Sequence, residues 1–75
     1  MSSMTQPKRL TEMQMKFAHE LVTNEGRKTA TECALAAGYS SNAAVVASSK
    51  LQNVKQYPLV VHYIGQLRTE YQKKI

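Results

Sequence analysis

The sequence has little of the chemistry that cross-links a small secreted domain or catalyses a reaction. It contains one cysteine, Cys33, in 75 residues, so no internal disulfide can form. Its two histidines, His19 and His62, lie too far apart in sequence for a local metal-binding motif. No paired carboxylates, nucleophile–base couple or glycine-rich phosphate loop stands at workable spacing. We therefore expect no cofactor, no metal site and no enzymatic activity.

The sequence also lacks the apolar segments that direct a chain into or across a membrane. No run approaches the roughly 18 consecutive apolar residues that span a bilayer, and residues 1–9 lack the apolar stretch of a secretory signal. Alternating apolar and polar segments, which are typical of strands, are missing as well. We expect a helical protein in a reducing compartment, with no membrane partner.

Positive charge exceeds negative charge in this short chain. Ten Lys and Arg residues against five acidic residues give a formal net charge of +5, which favours a polyanionic partner without identifying it. Residues 1–9 are polar and include Lys8 and Arg9, which is typical of a flexible basic arm. Hydrophobic residues make up 43% of the chain, so we expect residues 10–75 to form one compact domain.

Four segments have the apolar spacing of helices and carry matching start and stop signals. Thr11 and Thr29 each precede a Gln or Glu by three residues, which is the spacing of a capping box, and Pro58 is tolerated in a first helical turn. Gly38 suits the left-handed conformation that ends a helix. Gly65 weakens a helix and therefore indicates that another helix packs close to it. The predicted fold is all-α, with four helices over residues 12–24, 30–37, 42–52 and 58–73.

The third predicted helix has two chemically distinct faces. At 100° per residue, its inward face is small or apolar: Ala44, Ala47, Ser48 and Leu51. Its outward face is polar with little charge: Asn42, Val46, Ser49, Lys50 and Asn53. An amide, a hydroxyl, one cation and a methyl pair can read base edges, since Asn pairs with adenine, Lys donates to guanine or phosphate, and Val contacts the thymine methyl.

The segment from Ala30 to Ser49 resembles a helix-turn-helix. Ala34 is small at the position where the two helices touch, and Gly38 follows four residues later in the turn. Small Ala44 then faces inward on the second helix of the motif. This spacing favours a DNA-binding domain whose second helix enters the major groove.

Basic residues flank the motif on its N-terminal side. The start of the first helix in such a motif commonly meets a phosphate through its backbone amides, so we expect Arg27, Lys28 and Thr29 to hold the DNA backbone. An N-terminal basic arm can enter the adjacent minor groove, which makes Lys8 and Arg9 candidate DNA contacts.

A wider resemblance extends from Leu10 to Leu67. The chain reads LTEMQMKF at residues 10–17, ALAAGYS at 34–40 and SKLQN at 49–53. These segments resemble the Leu-Thr-x-x-Gln-x-x-Phe motif, the Ala-Ala-x-x-Ala-Gly-Tyr-Ser helix and turn, and the Leu-rich stretch in the N-terminal domain of phage terminase small subunits. Four positions depart from that pattern. Thr29 stands where Asn is common, and Cys33 stands where the first of the paired alanines is usual. Gln52 stands where another Leu or Arg often falls, and Val54 stands where Pro follows Asn.

The resemblance implies a viral DNA-packaging factor that acts in the host cytoplasm. Such a subunit recognises the packaging initiation site (cos or pac) on double-stranded DNA and presents it to the terminase large subunit, which holds the ATPase and nuclease. The small subunit is not itself an enzyme. Family members form homo-oligomeric rings and bind the large subunit through regions after this domain, so the resemblance implies that these 75 residues are an N-terminal, monomeric fragment.

Two other functions fit the same sequence. A helix-turn-helix transcription regulator would share this domain and differ in its DNA site. A helical protein-interaction module would instead use the helix from Ala44 to Leu51, or the face from Leu59 to Tyr71, to bind a partner.

Three further residues have plainer interpretations. We expect Cys33, which lies among alanines without an adjacent base, to be a packed thiol and not a nucleophile. We expect Tyr39 to anchor the turn in the core, and His19 to be a surface or half-buried residue without a ligand.

Overall fold

The fold is built from four helices. The computed structural model describes residues 9–73, with side chains through residue 72. Its helices are α1 (Glu12–Thr23), α2 (Ala30–Ala37), α3 (Ser41–Lys50) and α4 (Pro58–Lys73). Within these residues there is no strand, and the predicted all-α four-helix class is confirmed. None of the helices in this part of the chain is both long and apolar enough to traverse a bilayer. Lys8 and nearly all of the predicted basic arm lie outside the described residues.

Side-chain caps set where α1 and α2 begin. Thr11 accepts a hydrogen bond from the Gln14 backbone N–H at 3.0 Å, and the Gln14 side chain accepts one from the Thr11 N–H at 3.0 Å. Thr29 and Glu32 form the same reciprocal pair at 3.1 and 2.9 Å. Both predicted capping boxes are therefore confirmed, and each satisfies two N–H groups that the start of a helix leaves without a partner.

The turn between α2 and α3 depends on Gly38. Its φ of +113° lies in the left-handed region, and its N–H donates to the Leu35 carbonyl at 3.0 Å. The Tyr39 N–H donates to the Ala34 carbonyl at 3.1 Å, so two of the last carbonyls of α2 are satisfied by a glycine C-cap of the predicted kind.

Three predicted helix ends need correction. α1 ends at Thr23, with Asn24 as its C-cap residue. α3 covers Ser41–Lys50 in place of residues 42–52: it begins earlier because the Ser40 hydroxyl accepts from the Ala43 N–H at 3.3 Å. It ends earlier because the N–H groups of the next residues bond three residues back, from Gln52 to Ser49 and from Asn53 to Lys50, which tightens the chain into a turn.

The core forms around α1, which packs against both α2 and α4, while α3 packs against α2. Phe17 at the centre is fully buried, as are the small residues Ala34 and Ala44 where α2 and α3 cross. The other buried apolar residues are Ala18, Leu21, Val22, Cys33, Ala37, Leu51, Val60, Ile64 and Leu67. Small side chains at the crossing let two helices approach closely, so the pair α2–α3 is fixed to the domain through α2.

Polar contacts between α1 and α4 lie at the surface. The His19 Nε2 and the Tyr63 hydroxyl are 3.0 Å apart, and Arg68 forms an ion pair with Glu25, which follows α1. The prediction that another helix packs close to Gly65 is wrong, because a Cβ built at Gly65 meets no atom within 4 Å outside its own helix.

The predictions for Cys33 and Tyr39 agree with their positions. Cys33 is fully buried, and burial, with the nearby Glu20 carboxylate, raises the pKa of its thiol, although Lys28 opposes the shift. Tyr39 is half-buried against the core, and burial, with neighbouring Tyr57, raises the pKa of its phenol. Both side chains are therefore held in their neutral forms near neutral pH.

Candidate nucleic-acid interface

The two predicted faces of α3 are present in the structure. Ala44, Ser48 and Leu51 are buried, and Ala47 is half-buried. The opposite face is open to solvent: Asn42, Val45, Val46, Ser49 and Lys50. Val45 and Val46 are 60% and 49% exposed, which is unusual for two adjacent valines in a small domain and leaves a row of methyl groups between polar side chains.

Val45 is a member of this face that the sequence analysis left out. At 100° per residue it lies about 60° from Asn42, on the same half of the helix. The helical spacing therefore contained the signal. α3 packs only against α2, so the helix buries one narrow strip and leaves Val45 outside it.

The α3 face has no negative charge near it in sequence. All five acidic residues of the chain are glutamates, and none lies between Glu32 and Glu70. The stretch from 33 to 69 contains all of α3 and both of its flanking turns, and its cations are Lys50, Lys55 and Arg68. Because carboxylates repel phosphates, a stretch without them leaves this side of the domain open to a polyanion.

A partly buried pair of hydroxyls joins the start of α2 to the end of α3. The Thr31 and Ser48 hydroxyl oxygens are 3.2 Å apart, and Ser48 is only 7% exposed. The Ser48 hydroxyl donates to the Val45 carbonyl at 2.9 Å, so it can accept from the hydroxyl of Thr31. This contact places the N-terminal turn of α2 beside the C-terminal half of α3, on its buried side.

The N-terminus of α2 has amides available to an anion. The Thr29 hydroxyl accepts a hydrogen bond from the Glu32 N–H, and the Thr29 carbonyl accepts one from the Cys33 N–H. The preceding N–H groups, those of Ala30 and Thr31, have no acceptor among residues 9–73, as expected for a first helical turn. The Glu32 carboxylate lies beside the same turn, at 2.9 Å from the Thr29 nitrogen, and reduces the positive potential there.

Arg27 and Lys28, which the sequence analysis treated alike, differ in their surroundings. The Lys28 Nζ lies 3.3 Å from a Glu20 carboxylate oxygen, and both side chains are partly exposed. Arg27 is exposed and takes part in no ion pair with the rest of the described chain. An exposed ion pair contributes about 0–1 kcal/mol, so Lys28 can exchange Glu20 for a phosphate at small cost, whereas Arg27 has nothing to exchange.

Two other predicted contacts lie apart from the helix. Asn53 is exposed but follows the end of α3, and its side-chain oxygen accepts from the Lys55 N–H at 2.9 Å. The prediction that Asn53 lies on the third helix is therefore corrected: Asn53 is part of the turn that follows α3, and its side-chain NH₂ group can still donate hydrogen bonds. Arg9 is exposed and lines a groove with Gln14 and Lys55 near the start of α4.

Comparison with known proteins adds no relative. The chain matches no protein-family model, no curated protein sequence and no solved structure. Its function is therefore inferred from its own sequence, fold and surface.

Proposed function

We propose that this chain is a helix-turn-helix domain that binds double-stranded DNA through the exposed face of α3. The observation that carries the proposal is that this face combines amide, hydroxyl, methyl and ammonium groups with no carboxylate on α3 or its flanking turns. A helix of this size fits the major groove, which is about 12 Å wide. The net charge of +5 supplies the attraction to phosphates that any DNA complex requires.

Each group on the face has a role in this proposal. Asn42 pairs with an adenine edge, and Val46 contacts a thymine methyl, with Val45 beside it widening the apolar strip. Ser49 and Lys50, at the C-terminal end of α3, donate to base edges or to the phosphates next to them.

The start of α2 holds the DNA backbone. The hydroxyl contact between Thr31 and Ser48 joins the first turn of α2 to the C-terminal half of α3, and in this proposal the free amides of that turn bind a phosphate beside the base pairs that α3 reads. Arg27, Lys28 and the Thr29 hydroxyl add contacts there. Asn53, Lys8 and Arg9 are predicted to touch the backbone or the adjacent minor groove.

We further propose that the DNA is a viral packaging initiation site and that the chain acts as the recognition domain of a terminase small subunit. The resemblance over residues 10–67 supports this proposal, and its motif residues occupy positions where the fold needs those residue types. Thr11 caps α1, Phe17 fills the centre of the core, and Gly38 adopts the left-handed conformation. In this proposal the partners are the terminase large subunit and further copies of the small subunit in the host cytoplasm. One such module buries little DNA surface, so several copies would raise affinity through multivalency.

Selection from a pool of random duplexes, followed by fluorescence anisotropy on the enriched sequence, tests DNA binding. We expect Lys50→Ala and Ser49→Ala to reduce affinity for the enriched duplex more than for a scrambled one, by up to about tenfold for a lost base contact. Lys16→Ala, an exposed cation on α1 outside the interface, is the control for loss of charge. Enrichment of no sequence, or equal losses with all three variants, would contradict base reading by α3.

The backbone contacts have a separate test. The double variant Arg27→Ala, Lys28→Ala should weaken binding to every duplex and flatten the dependence of affinity on salt. An unchanged salt slope would remove the start of α2 from the interface. The packaging role would be supported if the enriched sequence occurs at the packaging start of the viral genome that encodes the chain and not elsewhere in that genome.

A further inference from the structure

A second basic surface lies between the N-terminal ends of α1 and α4. An open groove of about 620 Å³ is lined there by Arg9, Gln14, Lys55, Tyr57 and Pro58 among others, and we call it the Arg9–Lys55 groove. Arg9 and Lys55 are both exposed and form no ion pair within the part of the chain that the structure describes. The contacts assigned to the helix-turn-helix leave Lys55 without a role.

The Arg9–Lys55 groove adjoins a second groove on the α3 side of the domain. A second groove, of about 510 Å³, runs between α1 and α3 and is lined by Val46 and Lys50. Gln14 and Tyr57 line both grooves. The two grooves therefore meet at these two side chains, and a ligand that extends along both contacts Lys50 as well as Lys55.

The number of residues between the two cations limits the distance between them to about the scale of a DNA groove. Lys50 and Lys55 are five residues apart, so their Cα atoms are at most ~18 Å apart, and the turns between residues 51 and 57 shorten that distance. The major groove is about 12 Å wide and has a phosphate backbone on each side. With α3 in the groove, Lys55 is within reach of one of those backbones.

The charge around the groove also favours phosphate. No acidic residue lies between Glu32 and Glu70. Glu12 is the acidic residue of the first turn of α1, but it stands about 200° around the helix from Gln14, which lines the groove. Two unpaired cations therefore face the groove without a carboxylate among its lining residues.

We infer that the Arg9–Lys55 groove binds the phosphodiester backbone that borders the major groove occupied by α3. This inference rests on the proposed DNA binding and extends it with contacts outside the helix-turn-helix. Lys55 and Arg9 bind phosphates there, and the half-buried Tyr57 forms the floor between the two grooves. A phosphate contact by Arg9 is compatible with the predicted minor-groove contact of Lys8.

The test is the salt dependence of DNA affinity in single variants of the full 75-residue chain. Each phosphate contact contributes about 0.9 to the slope of log K against log salt. We expect Lys55→Ala, and independently Arg9→Ala, to reduce the slope by about that amount, and Lys55→Arg to restore it. Between 50 and 200 mM salt, one lost contact makes the fall in affinity about 3.5-fold smaller. Lys55 lies in an exposed turn, and circular dichroism checks that the variants fold.

Lys16→Ala is the matched control, because it removes the same charge from an exposed position that lines neither groove. A slope for Lys55→Ala equal to that of Lys16→Ala, in a protein whose binding still depends on Lys50, overturns the groove contact and leaves the proposed function standing. No binding by the unmodified chain to any duplex overturns both. Binding of an acidic peptide that depends on Lys55, with an unchanged DNA slope, would assign the groove to a protein partner and also overturn the inference.

Discussion

Replacing Gly38 by alanine isolates the backbone requirement of the turn between α2 and α3. A Cβ added at Gly38 would meet Met13 Cε at 3.8 Å and Cγ at 3.9 Å, which are ordinary van der Waals distances. The substitution therefore creates no steric overlap with neighbouring residues. Its cost comes from holding an L-residue at a φ of +113°, which we place at about 1–3 kcal/mol.

The matched control is Gly65→Ala, the same chemical change inside α4. Nothing lies within 4 Å of the added Cβ there, and the backbone is helical, so alanine should stabilise the domain by up to about 1 kcal/mol. In a domain of this size each kcal/mol shifts Tm by about 4–8 °C. Thermal unfolding followed by circular dichroism should therefore show Tm lowered by Gly38→Ala and raised by Gly65→Ala.

A result that refutes this reasoning is an unchanged or raised Tm for Gly38→Ala. It would mean that the turn adopts a conformation open to L-residues, and that the helix-turn-helix geometry does not depend on glycine. A lowered Tm for Gly65→Ala would instead show that α4 meets another helix at that point.

Three further predictions concern caps and buried polar groups. Thr29→Ala removes the cap of α2 and should cost about 0.5–2 kcal/mol in urea unfolding, whereas Thr29→Ser should retain most of that stability. Ser48→Ala removes the hydrogen bond to the partly buried Thr31 hydroxyl and should cost about 0.5–1.5 kcal/mol. A smaller loss in the double variant with Thr31→Val than the sum of the single losses would show that the two hydroxyls interact, and additive losses would show that they do not. The thiol of Cys33 should react with a disulfide reagent only when the domain opens, and rapid labelling of the native domain at neutral pH would contradict its burial. Because burial raises the pKa of this thiol above its value in the unfolded chain, the free energy of unfolding should fall as pH rises past about 9.

Local signals in the sequence were sufficient to predict the helices and the turn. The Thr11 and Thr29 boxes and the left-handed Gly38 depend on residues within a few positions of one another, so their spacing is visible in one dimension. The inward strip of α3 follows in the same way, because one helical period places Ala44 and Ser48 on the same side.

The remaining features depend on which elements meet in three dimensions. The contact between Thr31 and Ser48 joins residues 17 positions apart, and neither residue type indicates its partner. The helical spacing places Val45 on the outward half of α3, but its exposure also depends on α3 packing against α2 alone. The pairing of Lys28 with Glu20, which separates it from Arg27, likewise crosses from α1 to the loop before α2.

The departure of Asn53 from the helix has a local cause that periodicity does not report. Hydrogen bonds three residues back end α3 after Lys50, although the apolar spacing continues through Leu51. The Asn53 side chain then bonds the Lys55 N–H, as asparagine often does in turns. The apolar spacing is the same for a helix that continues and for one that tightens into a turn, so the residue at which α3 ends is set by these short-range hydrogen bonds.

The measurement that tests DNA binding by α3 most directly is chemical-shift mapping of the 75-residue chain with the enriched duplex. We expect the largest amide shifts from Asn42 to Lys50 and at the start of α2, with smaller shifts near Lys55. Shifts confined to the exposed face of α4, or no shifts at all, would contradict recognition of DNA by the helix-turn-helix.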